Sequence, residues 1–374
     1  MHGVGCRAVV NSDLRYLAFY LPQFHPIPEN DQWWGEGFTE WTNVRKGNPL
    51  FTGHHQPHAP AAELGYYDLR DAQTREKQAD LARAHGIDGF VYYHYWFNGR
   101  RLLERPFNAV LASGSPSLPF CLCWANENWT SSWNAHDPTT VLVAQQYGDD
   151  DDRAHLRWLA EAFRDPRYIR VDGRPLFLVY HASAMPDSRR TTDNWRDEAQ
   201  RLGFDGLYLC RVESFDRGDP APLGFDAAVE FWPNWKRMGP RLRLADRELT
   251  DAGRIQQGDR TAILLSYPVA MELAGRYADV PFKRYPCVMT GWDNTPRRGN
   301  AGTVFVGSSP EQYAAWLAAT IKRFTPYSPS ENLIFINAWN EWAEGAHLEP
   351  DERWSRAYLE AHHGVTGRAI ASTA

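Results

Sequence analysis

The sequence predicts a single (β/α)8 barrel. Short apolar, β-rich runs alternate along the chain with helical stretches, an order that implies parallel strands joined by right-handed crossovers. About eight such units fit into 374 residues, where the fold takes roughly 250 plus insertions. No glycine-rich phosphate loop follows the first strand, which disfavours the runner-up, an open doubly wound sheet.

The strands are expected at Arg15–Gln23, Gly89–Phe97, Pro119–Asn126, Pro175–His181, Leu207–Val212, Ala227–Pro233, Tyr285–Trp292 and Asn332–Trp339. Each is a compact run rich in Val, Ile, Phe, Tyr and Trp, the residues that suit a pleated surface. Helical periodicity runs over Asp71–His85 and stops at Gly86. Further helices are expected at Arg101–Ser113, at Asp150–Arg164 with an acidic first turn that suits the helix dipole, and at Asn194–Leu202 before Gly203. The last is Ser309–Phe324, where Ser309 caps and Pro310 begins the first turn. Two long insertions, Phe24–Asp68 and Asn234–Arg284, follow the first and sixth strands. The whole chain, 1–374, reads as one domain, with residues 1–14 and 365–374 expected to be flexible.

Composition narrows the function. Net charge is −6 with no basic stripe, so nucleic acid is not an expected partner. No apolar run approaches the roughly 20 residues that span a bilayer. The segment MHGVGCRAVVNSDLRY lacks the charged-then-apolar layout of a signal peptide, so a cytoplasmic location is expected. Cys6, Cys121, Cys123, Cys210 and Cys287 are odd in number and lie mostly in apolar runs, as free thiols in a reducing compartment do. The surplus is in aromatics: 16 Trp, 17 Tyr and 18 Phe. Either they fill a large core, or their flat faces stack on sugar rings.

Position separates these readings. A barrel carries its active site at the C-terminal ends of its strands. After the first strand come Gln23, His25, Trp33, Trp34, Glu40 and Trp41; after the second, Tyr93, His94, Tyr95 and Trp96. The third gives Trp124, Asn126, Glu127 and Trp129, the sixth Glu230 and Trp232, and the seventh Trp292, Asp293 and Arg297. The eighth ends in Trp339, Asn340, Glu341, Trp342 and Glu344. Aromatic platforms mixed with amides and carboxylates are what a carbohydrate needs, because each hydroxyl must find a partner. A carbohydrate substrate is therefore expected.

Glu341 and Glu344 are the sharpest feature. Glycoside cleavage generally uses two carboxyl groups, one giving a proton to the leaving oxygen and the other acting as base or nucleophile. Three residues apart, the two share a face if the chain turns helically after Asn340. Apolar neighbours such as Trp342 would raise a carboxyl pKa, as an acid requires. On a solvated helix the same spacing is common and means nothing; at the end of a barrel strand, among tryptophans, it means more.

The segment NEWAEG resembles the signature of glycoside hydrolase family 99, the endo-α-mannosidases. FYLPQFHPIPENDQWWGEGFTEWTNV, GHHQPHAP, LGYYDLR, HGIDGFVYYHYWFNG, PFCLCWANENWT and GWDNTPRRG resemble a bacterial branch, called family 99-like, found in O-antigen and capsule gene clusters and often labelled glycosyltransferase. These motifs span Tyr16 to Pro350. The resemblance implies a base, Glu341, that removes the proton of the sugar's own 2-hydroxyl to close a 1,2-anhydro intermediate, and an acid/base, Glu344. It favours mannose- or rhamnose-configured α-glycosides. Ala343 stands where the family tends to carry histidine.

Three functions are carried forward: a retaining α-glycosidase of bacterial polysaccharide or oligosaccharide, a glycosyltransferase of surface-polysaccharide (lipopolysaccharide O-antigen) biosynthesis, and a non-catalytic sugar-binding barrel. No cofactor is expected. His54, His55 and His58 in GHHQPH suggest a metal only weakly, because no acidic partner is placed nearby in sequence; His58 is read as a sugar or loop contact. Asp149–Asp152 looks like a metal-binding aspartate motif but begins a helix, where acids are favoured anyway.

Overall fold

The computed structural model describes residues 13–51, 53–131, 140–242 and 262–367. Nine parallel strands form a nearly closed barrel: β1 (Arg15–Tyr20), β2 (Gly89–Phe97), β3 (Phe120–Trp124), β4 (Arg174–Val179), β5 (Tyr208–Val212), β6 (Ala227–Val229), β7 (Arg284–Tyr285), β8 (Cys287–Met289) and β9 (Leu333–Asn337). Their order is β7-β6-β5-β4-β3-β2-β1-β9-β8. The ninth strand arises because the expected Tyr285–Trp292 run is cut at Pro286, which has no N–H to give a ladder. The Tyr285 carbonyl accepts from Glu230 N on one side, and the Pro286 carbonyl accepts from Phe335 N on the other. One segment thus joins both edges, and the eight-unit barrel closes through it.

The helices are α1 (Pro28–Trp34), α2 (Glu40–Arg45), α3 (Ala72–Ala84), α4 (Arg105–Ser113), α5 (Asp149–Arg164), α6 (Ser188–Arg201), α7 (Tyr267–Arg276), α8 (Thr295–Arg298), α9 (Pro310–Arg323) and α10 (Ala357–Thr366). Asp71 caps α3 by accepting from Gln73 N and Thr74 N, and Ser309 caps α9 by accepting from Gln312 N. One expectation fails at the start of α4. Residues 100–102 pair antiparallel with the end of β2, so the helix begins only at Arg105. The cause is the Asn98–Gly99 turn, both residues at positive φ, which is a two-residue hairpin signal. Helix α6 begins earlier than expected, because Asp187 caps it by accepting from Arg190 N.

Inside the barrel an aromatic stack closes the floor under the strand ends. Phe19 stacks on Tyr93 at 5.6 Å and meets Phe231 and Phe335 at 5.5 and 5.9 Å. Tyr180 meets Tyr93 at 5.8 Å and Phe231 at 5.4 Å. The long loop after β1 carries α1 and α2. The one after β6 includes Ile263–Ser266, which pairs with Thr303–Val306 outside the barrel sheet. The chain ends expected to be flexible lie outside the described residues, apart from 13–14 and 365–367, where α10 finishes. Among the described residues no helix is long and apolar enough to cross a membrane. Cys121, Cys123, Cys210 and Cys287 are buried free thiols.

Candidate active site

The strand-end segment after β9 is built in three steps. Asn340, fully buried, accepts from Leu21 N at 2.7 Å and donates to Leu21 O at 3.0 Å, which splices it to the chain leaving β1. Asn340–Glu341 then pairs antiparallel with Ala346–His347. Between them, Trp342–Glu344 makes one 3-10 turn, which puts residues three apart on one side. Gly345 closes the turn at φ 61°, where a side chain is disfavoured, and a Cβ there would press on Asp293 at 3.0 Å. Glu341 and Glu344 therefore face the same cleft.

That cleft has a volume of about 600 Å³ and is lined by Tyr93, Tyr95, Asn126, Glu127, Trp129, Tyr147, Tyr180, His181, Phe231, Arg297, Glu341 and Glu344, among others. Asn126 joins the ends of β3 and β4, bonding His181 O and N at 2.7 and 2.8 Å. Glu127, partly exposed, lies 3.4 Å from His181 Nδ1.

Arg297, from α8, organises the carboxylates. Its Nη1 donates to Glu344 at 2.5 Å, its Nη2 to Glu341 at 3.4 Å and its Nε to Glu40 at 2.7 Å. One guanidinium cannot balance three ionised carboxylates in a buried site. Burial pushes the Glu341 carboxyl well above its usual range, and the charge of Glu344 adds to this, against the pull of Arg297. Burial also raises Glu344, where Arg297 opposes it more closely. Glu341 and Glu344 thus titrate as one interacting pair beside Arg297.

A further carboxylate, Glu349, braces the segment from behind. It accepts from Gln78 Nε2 (2.6 Å), Trp339 Nε1 (2.9 Å), Tyr67 Oη (2.7 Å) and Trp342 Nε1 (2.7 Å). Burial lifts it to about 7, with these donors pulling it down. Nothing in the strand-end pattern singled it out; the paired tryptophans either side of Glu341 were the available signal. Replacing Tyr67 by Phe deletes one of these donors without changing shape. Urea unfolding should show a loss of about 1.5–3 kcal/mol, the range for a bond to a charged group.

The remaining expected site residues lie elsewhere. Gln23, Trp33 and Trp34 line a small side groove that also touches Trp129. His58, Trp292 and Asp293 line a second cavity, where Asp293 is bonded to His54 Nε2 and Gln56 Nε2, both at 2.6 Å. The others are buried in packing, with Glu230 also bordering a separate cavity beside Arg284 and Arg323. His94 stacks on Trp158 of α5 at 4.5 Å, and Trp96 stacks on His155 at 4.7 Å. Trp124 packs on Trp195 of α6, and Trp232 on Trp316 of α9. Glu230 accepts from Trp232 Nε1. Trp41 is buried among Phe24, Tyr67 and Trp342, His25 is bonded to Pro22 O, and Trp339 is held by Glu349. Strand side chains alternate faces, so Tyr93 and Tyr95 look into the barrel while His94 and Trp96 look out to the helices.

Comparison with known proteins fits this architecture. WxcX of two Xanthomonas campestris pv. campestris strains, itself uncharacterized, is 44% identical over 359 residues, covering 94% of this chain and 50% of WxcX. The chain thus spans about half the length of the curated relatives it matches. A glycoside hydrolase-like protein superposes with a TM-score of 0.61 at 13% identity over 98% of each chain. The family 99 endo-α-mannosidase of Bacteroides thetaiotaomicron gives 0.57 at 15% identity, over 94% of this chain and 96% of that one. At 13% and 15% identity these likenesses show the barrel fold. The model of the family described as glycosyltransferase WbsX matches residues 16–362, so the chain belongs to that family.

Proposed function

We propose that the cleft cleaves a manno-configured α-glycoside, of mannose or rhamnose, in a bacterial polysaccharide or oligosaccharide with retention of configuration. The observation that carries this is the pair Glu341 and Glu344, which face one aromatic cleft and share one arginine. Glu341 takes the proton of the 2-hydroxyl, and O2 attacks C1. The C1–O bond to the leaving sugar breaks as Glu344 protonates that oxygen, leaving a 1,2-anhydro sugar. Glu344 then takes a proton from water, whose oxygen opens the anhydride at C1, and Glu341 returns the proton to O2. In the free cleft the proton favours Glu341, which is held less tightly by Arg297. The proposed roles therefore require substrate to redistribute it. Tyr93, Tyr180, Trp129 and Phe231 supply ring-facing surface, and Asn126, Glu127 and His181 supply partners for hydroxyls.

The family description favours a second reading, transfer from a sugar nucleotide. Against it, Asp149 is taken up by Arg190 (2.5 Å) and Asn194, and Asp151 by Trp96. The test sets α-mannosyl and α-rhamnosyl oligosaccharides beside nucleotide-sugars. Release of sugar from the former supports the hydrolase; turnover of the latter alone overturns it. Because burial raises both glutamates, the acid limb of kcat/KM against pH should lie above the ordinary glutamate value of 4.5. The base must be ionised, so activity falls as pH drops through its raised pKa. A limb at or below 4.5 would contradict the buried pair.

A further inference from the structure

On the other side of the Glu341 hairpin, His58, His347 and Asp351 bring one ligand atom each to within 4.8 Å of one another. His58 Nδ1 lies 3.1 Å from His347 Nε2, and Asp351 Oδ2 lies 3.7 Å from the same nitrogen. Two nitrogens on one tetrahedral zinc, at roughly 2.0–2.1 Å from it, stand about 3.3 Å apart. The two imidazoles therefore already have the spacing of a shared ion, with Asp351 close enough to complete it by a small side-chain shift. His347 Nδ1 faces the Glu349 carbonyl at 3.1 Å. A carbonyl only accepts, so Nδ1 carries the proton and Nε2 turns its lone pair towards His58 and Asp351. This outer bond is the one that metal-binding histidines make.

We propose that His58, His347 and Asp351 bind one divalent transition-metal ion of the zinc class. Two imidazoles and one carboxylate suit zinc and its neighbours better than calcium or magnesium, which take oxygen ligands. A cavity of about 220 Å³, bordered by His55 and by the exposed Gly53 and Arg353, gives the ion a way in. The fourth position falls to water or to His55, whose ring centroid is 5.4 Å from that of His58. GHHQPH lacks an acidic partner in sequence; Asp351 supplies it from the far end of the chain. The ion acts as a clamp. His347 pairs with Asn340 across the hairpin and stacks on Trp342 at 3.9 Å, so holding it to His58 pins the loop after β1 to the segment carrying Glu341.

The test uses the tag-free full chain, stripped with chelator, dialysed and titrated with zinc chloride. Zinc content is read after desalting, along with the melting temperature and the visible spectrum of the cobalt-substituted protein. One zinc retained per chain, a melting temperature that rises to saturation, and the strong visible bands of four-coordinate cobalt are expected. His58→Gln and Asp351→Asn should each weaken binding at least about tenfold. No retained zinc in the unaltered protein overturns the proposal and leaves a plain His58–His347 hydrogen bond. So does retention unchanged in both variants. The first result needs no variant to fold.

Discussion

Glu341→Gln and Glu344→Gln should each lower kcat/KM on an unactivated α-glycoside by roughly 10²- to 10⁴-fold, the span typical of a lost general acid or base. Both substitutions keep shape and leave one oxygen to accept from Arg297, so the fold should survive. The two should part company on an aryl glycoside with a good leaving group. Such a group departs without protonation, so Glu344→Gln should recover most of its kcat/KM, while kcat stays limited by the ring opening that still lacks its base. Glu341→Gln should not, because the 2-hydroxyl still needs a base. The opposite pattern would exchange the roles. In the free cleft Arg297 holds Glu344 at 2.5 Å and Glu341 at 3.4 Å, so the two carboxyls are not equivalent before substrate binds.

Arg297→Met should be the most destabilising change in the cleft. Glu40 is fully buried and bonded to Arg297 Nε at 2.7 Å. Removing one partner of a buried pair leaves an uncompensated charge, at a cost of about 3–5 kcal/mol. Pairing it with Glu40→Gln should return part of that loss, since the stranded charge goes too. Chemical unfolding of the single and double variants measures the coupling. If the double variant is no more stable than Arg297→Met, Glu40 is not the group that Arg297 neutralises.

Much of this was legible in the sequence. Eight apolar runs gave the barrel, and NEWAEG placed two carboxylates at a strand end. What the sequence withheld is mostly parity. In YYHYWF every position is aromatic, so composition cannot say which residues look inward. The structure turns Tyr93 and Tyr95 to the cleft and sends His94 and Trp96 against α5. The same split sends Phe231 inward and Trp232 out to α9. Pro286 was visible, but its effect on a ladder depends on which neighbour needs the missing N–H. Contacts between distant segments were equally hidden: Glu349 collects donors from Tyr67 and Gln78, and His58 meets His347.

The most direct test follows the first product by proton NMR as the enzyme acts on an α-mannosyl or α-rhamnosyl oligosaccharide. The account predicts that the α-anomer of the released reducing sugar appears first and mutarotates afterwards, and that Glu341→Gln abolishes the signal. A first-formed β-anomer, or release that survives Glu341→Gln unchanged, would contradict it.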